Sequence, residues 1–211
     1  QIVVSANDNK QVLVDGVTTV AENPAPDTAT IIDLGARPPR IVGEIQAPNS
    51  VQGPPQNVAV ARDESFVLVA SAMKHDPADA KKLVPDNRVS VIDLKASPPG
   101  VLATVQAGAG ASGVSINRAG TLALVANRAD GTVSVFTISG KTLTAAGTVD
   151  LGNPRSGPCH VAFLPGDKAA LVTRDGDHKI SLLAIDGDKV DYTKQDMVGG
   201  IRPYSLDVSA K

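Results

Sequence analysis

The segment Ile31-Ile32-Asp33-Leu34 returns as Val91-Ile92-Asp93-Leu94 sixty positions later, and the likeness continues beyond it. At the same spacing Pro38-Pro39 answers Pro98-Pro99, Ile41-Val42 answers Val101-Leu102, and Ile45-Gln46-Ala47 answers Val105-Gln106-Ala107. Val133-Ser134-Val135-Phe136 and Ile180-Ser181-Leu182-Leu183 are degenerate copies of the first segment. A second element precedes it, at Val58-Ala59-Val60, Val114-Ser115-Ile116, Val161-Ala162-Phe163 and Leu206-Asp207-Val208, with offsets of 56, 47 and 45. A third, at Leu68-Val69-Ala70-Ser71, Leu124-Val125-Ala126-Asn127 and Leu171-Val172-Thr173-Arg174, has offsets of 56 and 47. Elements that move in step define one repeating unit with inserts of varying length.

Each unit reads as strand A, a tight turn, strand B, a loop, strand C, a turn and strand D. Arg118-Ala119-Gly120 and Leu164-Pro165-Gly166 supply A–B turns, and Asp130-Gly131 a B–C turn. Two B–C connections are long, at about 7–27 and 73–88, and the one helix-like stretch, Asp76 to Leu83, lies in the second. Pro38-Pro39 and Pro98-Pro99 sit at equivalent C–D positions and read as rigid turns. A period of roughly 45 residues with four strands suits a β-propeller blade. The expected fold is all-β: one propeller unit over 1–211, with blades at 1–50, 51–108, 109–152 and 153–198. Residues 199–211 would begin a further blade or close the first. The inventory BCD, three ABCD sets and a lone A fits a larger ring cut between A and B, which we favour, or a closed four-bladed ring. Gln1 in place of an initiator Met reads as a processed or trimmed N-terminus.

Composition narrows the partners. Hydrophobic residues make up 42% of the chain, yet it has no Trp, three Phe and two Tyr, so Val, Ile, Leu and Ala must fill the core. The net charge of -2, with signs mixed and no basic run, argues against nucleic acid. Few aromatic platforms exist for stacking bases. No apolar run approaches the ~18 residues of a membrane span. The single Cys159 excludes an intrachain disulfide.

Leu124-Val125-Ala126-Asn127 and Val89-Ser90-Val91-Ile92-Asp93-Leu94 resemble the YVTN-type β-propeller repeats, neighbours of the lactonase-like propellers. The resemblance covers nearly the whole chain. It implies seven blades and, for many members, a periplasmic or secreted setting. It implies no single activity, because the shared positions are core and turns. Ser156-Gly157-Pro158-Cys159-His160 is similar to the Gly-Pro-Arg-His segment of lactonase-like propellers, with Cys159 where the Arg would stand. The resemblance implies an active-site role for His160.

Loops D–A and B–C of a propeller emerge on one face around the channel. Ligand-binding candidates on that face are Gln56, Asn57, Ser112, Asn127, Asp175 and Tyr204. His160 is the candidate general base, with Arg128 or Arg174 supplying the charge that Cys159 lacks. Cys159 and His160 are adjacent on one strand and so point to opposite faces, which separates nucleophile from base. No zinc spacing or phosphate loop is present. Asp175-Gly176-Asp177 and Asp186-Gly187-Asp188 offer oxygen donors for calcium but read as hairpin turns; His75, Asp76 and Asp79 in one insert, and Asp175, Asp177 and His178 in another, are looser metal-ligand groupings. No cofactor is expected. The functions in contention are a scaffold binding a protein or small ligand through its loop-rich face, a hydrolase opening cyclic esters, and an accessory propeller beside a redox centre.

Overall fold

A computed structural model describes residues 1–50 and 56–209. The first blade holds β1 (Ile2–Asn7), β2 (Gln11–Val14), β3 (Val17–Val20), β4 (Thr28–Asp33) and β5 (Arg40–Gln46). The second holds β6 (Val58–Val60), β7 (Phe66–Ala70), β8 (Met73–Asp76), β9 (Asp79–Pro85), β10 (Arg88–Asp93) and β11 (Gly100–Gln106). The third runs through β12 (Ala111–Ile116), β13 (Leu122–Asn127), β14 (Thr132–Ser139) and β15 (Thr142–Asp150). The fourth runs through β16 (Pro158–Phe163), β17 (Ala169–Arg174), β18 (Lys179–Asp186) and β19 (Lys189–Val198). The sheet orders are β1-β4-β5, β6-β7-β10-β11, β12-β13-β14-β15 and β16-β17-β18-β19, all antiparallel. These are blades of a β-propeller, the first lacking a strand A. The boundary drawn at residue 51, and residues 210–211, lie outside the described residues.

Burial explains the sequence pattern. A half-buried strand alternates apolar and polar residues, but β7 and β13 are buried at every position. Each lies inside a blade whose two faces are both covered by neighbouring blades. One apolar cluster joins Leu68, Val89 and Val91 of the second blade to Val114, Val125 and Phe136 of the third. Another joins Leu124, Val133 and Val135 to Val161, Val172 and Leu183 of the fourth. A third joins Ile31 and Ala29 to Val67 and Val69. Each Val, Leu or Ile side chain buried this way stabilises by ~1.5–3 kcal/mol. Outer strands β5, β11 and β15 are mostly exposed, and β5 and β11 leave Ile41, Val42, Val101 and Leu102 at the surface. In all four blades the register of strand C against strand D slips near the middle, after Ile31, Val91, Val135 and Ser181.

The end of strand B carries a repeated polar tie. Asn7 Nδ2 donates to Thr28 Oγ1 at 3.0 Å and Thr30 Oγ1 at 2.8 Å. Asn127 Nδ2 does the same to Thr132 Oγ1 and Ser134 Oγ, each at 2.9 Å. Arg174 Nη1 donates to Ser181 Oγ at 3.0 Å in the fourth blade. The second blade has the shorter Ser71 at this position, and the hydroxyl of buried Ser90 has no partner among the described residues.

Three expectations change. The two B–C inserts are β-hairpins, β2–β3 and β8–β9. The helix-like stretch is therefore strand, with Pro77 in the turn between β8 and β9, where its missing N–H costs nothing. Leu206 to Ser209 forms no strand. Leu206 N–H instead donates to His160 Nδ1, and Asp207 to Ser209 line a cleft with Arg62, Ser115 and Phe163 of the three preceding blades.

Inner strands of adjacent blades approach closely at Gly113. A Cβ there would lie 2.5 Å from the Cys159 carbonyl oxygen and 2.6 Å from His160 Cα. Both are backbone atoms, so the blades themselves would have to part. Gly113→Ala should cost about 1–3 kcal/mol, read as a lower urea midpoint at unchanged slope. An unchanged midpoint would show that the third and fourth blades separate freely.

Candidate functional site

The seam between the third and fourth blades gathers most of the charged candidates. Arg128 follows β13 and crosses to the fourth blade. Its Nη1 lies 2.6 Å from Cys159 Sγ and its Nη2 2.7 Å from Asp175 Oδ2. Arg202 approaches the same oxygen from the other side, at 2.9 Å. The Tyr204 ring faces both guanidiniums, 5.7 Å from Arg128 and 5.6 Å from Arg202, and its hydroxyl accepts from Arg202 at 3.1 Å. The backbone N–H of Arg202 donates to His178 Nδ1 at 3.2 Å. A cleft of ≈ 490 Å³ opens over this group, with Arg155 also on its wall.

Two backbone features build the seam. Strand β16 pairs Pro158 with Arg174 and His160 with Thr173, leaving Cys159 as the extra residue of a bulge. The preceding Gly157 has φ +58, and a Cβ there would strike the Asp175 carboxylate, so glycine is needed for conformation and for space.

Burial alone would raise the Asp175 carboxyl, but hydrogen bonds from Arg128 and Arg202 outweigh it and hold the group below the usual carboxylate range. Burial pushes the Cys159 thiol up to about 12, despite the charge of Arg128 beside it. Cys159 is therefore a neutral thiol at physiological pH, donating to the Gly157 carbonyl at 3.3 Å. Since the thiolate is the reactive form, burial works against nucleophilic chemistry at this thiol. Arg128 stands where the sequence comparison lacked a charge: against Cys159, delivered from the neighbouring blade.

His160 has other neighbours. Its Nδ1 accepts the Leu206 N–H at 3.4 Å, and its ring lies over Gly113. Its own N–H donates to Thr173 Oγ1 at 3.1 Å, and that hydroxyl lies 2.6 Å from the Tyr204 carbonyl. The residue is 8% exposed, and burial lowers its pKa, so the ring is uncharged near neutrality. No carboxylate or guanidinium hydrogen-bonds to it among the described residues.

Other candidates are placed differently. Arg174 was expected beside His160. Alternation along β17 turns Thr173 toward His160 and Arg174 into the fourth blade, where Asp177, Ser181 and the Tyr192 ring hold it. Asn127 is the B-strand tie described above. It also accepts from Gly108 N–H at 3.1 Å. Asn57 is buried and donates to the Ala70 carbonyl at 3.0 Å within its own blade. Ser112 is buried, and its hydroxyl has no partner among the described residues. Gln56 hydrogen-bonds Ser205, linking the second blade to the terminal segment. Asp175 and Asp177, read from sequence as oxygen donors, are each turned toward arginine. Sequence reasoning missed Arg155 and Arg202. The available signal was position: Arg202-Pro203 matches Gly157-Pro158 in the repeat, so it lies in a D–A turn opening on the same face.

No family model and no curated protein matches the sequence. Solved structures do match. The proposed 6-phosphogluconolactonase of Bacteroides fragilis superposes with a TM-score of 0.63 at 13% identity, over 99% of this chain and 71% of that one. The periplasmic gluconolactonase of Pseudomonas aeruginosa gives 0.53 at 17% identity, over 93% and 71%. Kuenenia stuttgartiensis hydrazine synthase gives 0.59 at 20% identity, over 81% of this chain and 43% of that one. The chain thus spans under half of that synthase. At these identities the likeness establishes the fold alone: a β-propeller. Among the described residues no helix is long and apolar enough to cross a membrane.

The pairing of Asp175 has a pH signature. A carboxylate with a depressed folded pKa contributes its full stability above the ordinary value of 3.8, and that contribution is lost as pH falls through the lower folded value. Asp175→Asn should cost about 1–3 kcal/mol at neutral pH. Its stability should also fall less steeply on acidification below about pH 4 than that of the parent. Equal acid slopes in urea titrations of the two proteins would rule out Asp175 as a pH-dependent tie.

Proposed function

We propose that this propeller binds a small anionic molecule, of the size and charge of a sugar acid, in the cleft over Asp175. One observation carries the reading. Arg128, Arg155, Arg202 and His178 line that cleft with a single carboxylate, Asp175, which pairs with Arg128 and Arg202, so three guanidiniums leave a formal excess of two positive charges. Guanidinium forks match carboxylate and phosphate oxygens. Arg155 makes no ion pair among the described residues, and Arg202 is 56% exposed on its side chain, so both are open to a ligand. The lactonase names of two structural neighbours support a sugar acid as the ligand class, and the periplasmic one supports a periplasmic or secreted setting.

Isothermal titration with gluconate and 6-phosphogluconate tests this. Binding should weaken with added salt, and at least about ten-fold in Arg202→Ala. Absence of binding to every anion offered would overturn the proposal.

A hydrolase reading retains one favourable feature, an uncharged His160 that could accept a proton. Against it stand the capped Nδ1 and, among the described residues, the lack of a carboxylate or guanidinium bonded to the ring. Under that reading His160→Ala abolishes turnover of gluconolactones. Equal turnover by parent and variant, or none by the parent, removes it.

A further inference from the structure

The hairpin β2–β3 stands out from its blade. Val12, Leu13, Val14 and Val17 are 46%, 74%, 51% and 65% exposed. Asp15 and Gly16 both have positive φ, at 49 and 79, the primed turn that closes two-residue hairpins. Among the described residues β2 has β3 as its sheet neighbour and no other. Glu22, just past β3, pairs with Lys81 of the second hairpin at 3.4 Å, so the β3 side faces the protein and the β2 side faces solvent.

The hydrogen-bond parity of this edge can be assigned. The Ala21 N–H donates to the Lys10 carbonyl at 2.9 Å, and Val14 pairs with Val17 across the turn. Antiparallel ladders alternate, so Lys10, Val12 and Val14 direct their main-chain groups toward β3. Gln11 and Leu13 therefore direct N–H and C=O outward, unpaired. The strand Gln11–Val14 has no Lys, Pro or bulge, the usual protections of an open edge.

The sequence around Leu13 is also symmetric. With an antiparallel copy centred on Leu13, Leu13 meets Leu13, Val12 meets Val14, and Gln11 meets Asp15. The centre falls on the residue whose N–H and C=O are both free, as a hydrogen-bonded pair requires. Polar and charge complementarity agree. No like charges are set opposite each other, each Gln11 amide faces an Asp15 carboxylate, and the Lys10 side chain is buried away from the edge against Asp27. We infer that the β2 edge is an interface for a second copy of this chain, joining two hairpins into one four-stranded sheet. Such a short edge covers less than the ~1,200 Å² of a standard interface, so the dimer is weak and concentration-dependent.

Sedimentation velocity on the intact polypeptide tests this with two variants at one exposed position. The parent should pass from monomer to dimer as concentration rises. Leu13→Lys and Leu13→Glu each set like charges face to face and should weaken the dimer at least about ten-fold. An equimolar mixture of the two should recover it. A parent that stays monomeric, a dimer that both variants retain, or a mixture that remains monomeric each overturns the inference. Far-UV dichroism and thermal midpoints of the variants should match the parent, because the Leu13 side chain touches no core.

Discussion

Apolar burial between successive blades is the interaction on which everything else in this protein rests. A lone blade is a small sheet with two apolar faces and cannot be stable in water. Stacking covers both faces at once. That is why β7 and β13 are apolar without alternation, and why the core is a set of seams instead of one centre. Small and β-branched side chains suit such seams because they pack in layers with little conformational loss.

Polar and charged groups collect where those seams reach the surface. The B–C and D–A turns converge there, and the polar groups they carry cannot join the apolar layers. In the third seam, Arg128 crosses from one blade to the next and meets Asp175, which occupies the equivalent position in the following blade. The same repeat position thus carries opposite charges in neighbouring units, and the pair serves as a blade-to-blade contact and as the floor of the cleft. Arg202, from the segment after the fourth blade, completes the group.

Much of the fold was legible because the repeat carries it. Strand identity, blade order and the start of the chain at a strand B all follow from three elements moving in step. What was not legible depends on side-chain direction and on segments outside the repeat. Arg128 and Arg174 both close a B strand in sequence, yet one residue of offset sends the first across the seam and the second into its own blade. Asn127 looked like a ligand-facing amide because it ends a strand at the channel mouth. Its equivalence to Asn7, visible in the hydroxyl pairs opposite both, marks it as a tie between strands B and C. The inserts read as loops because their apolar residues have no repeat partner, although Asp15-Gly16 between two apolar runs is a hairpin signal by itself.

A core built without tryptophan has an optical consequence. The only phenols are Tyr192 and Tyr204, and each lies beside an arginine. Tyr204 faces the two guanidiniums of the cleft, while Tyr192 sits in the outer strand of the fourth blade with its hydroxyl on Asp196. Tyrosine absorption and emission thus arise from two places in the molecule, and one of them is beside the arginines of the cleft. The unlabelled protein carries its own spectroscopic reporter, at the spot where charge is most concentrated.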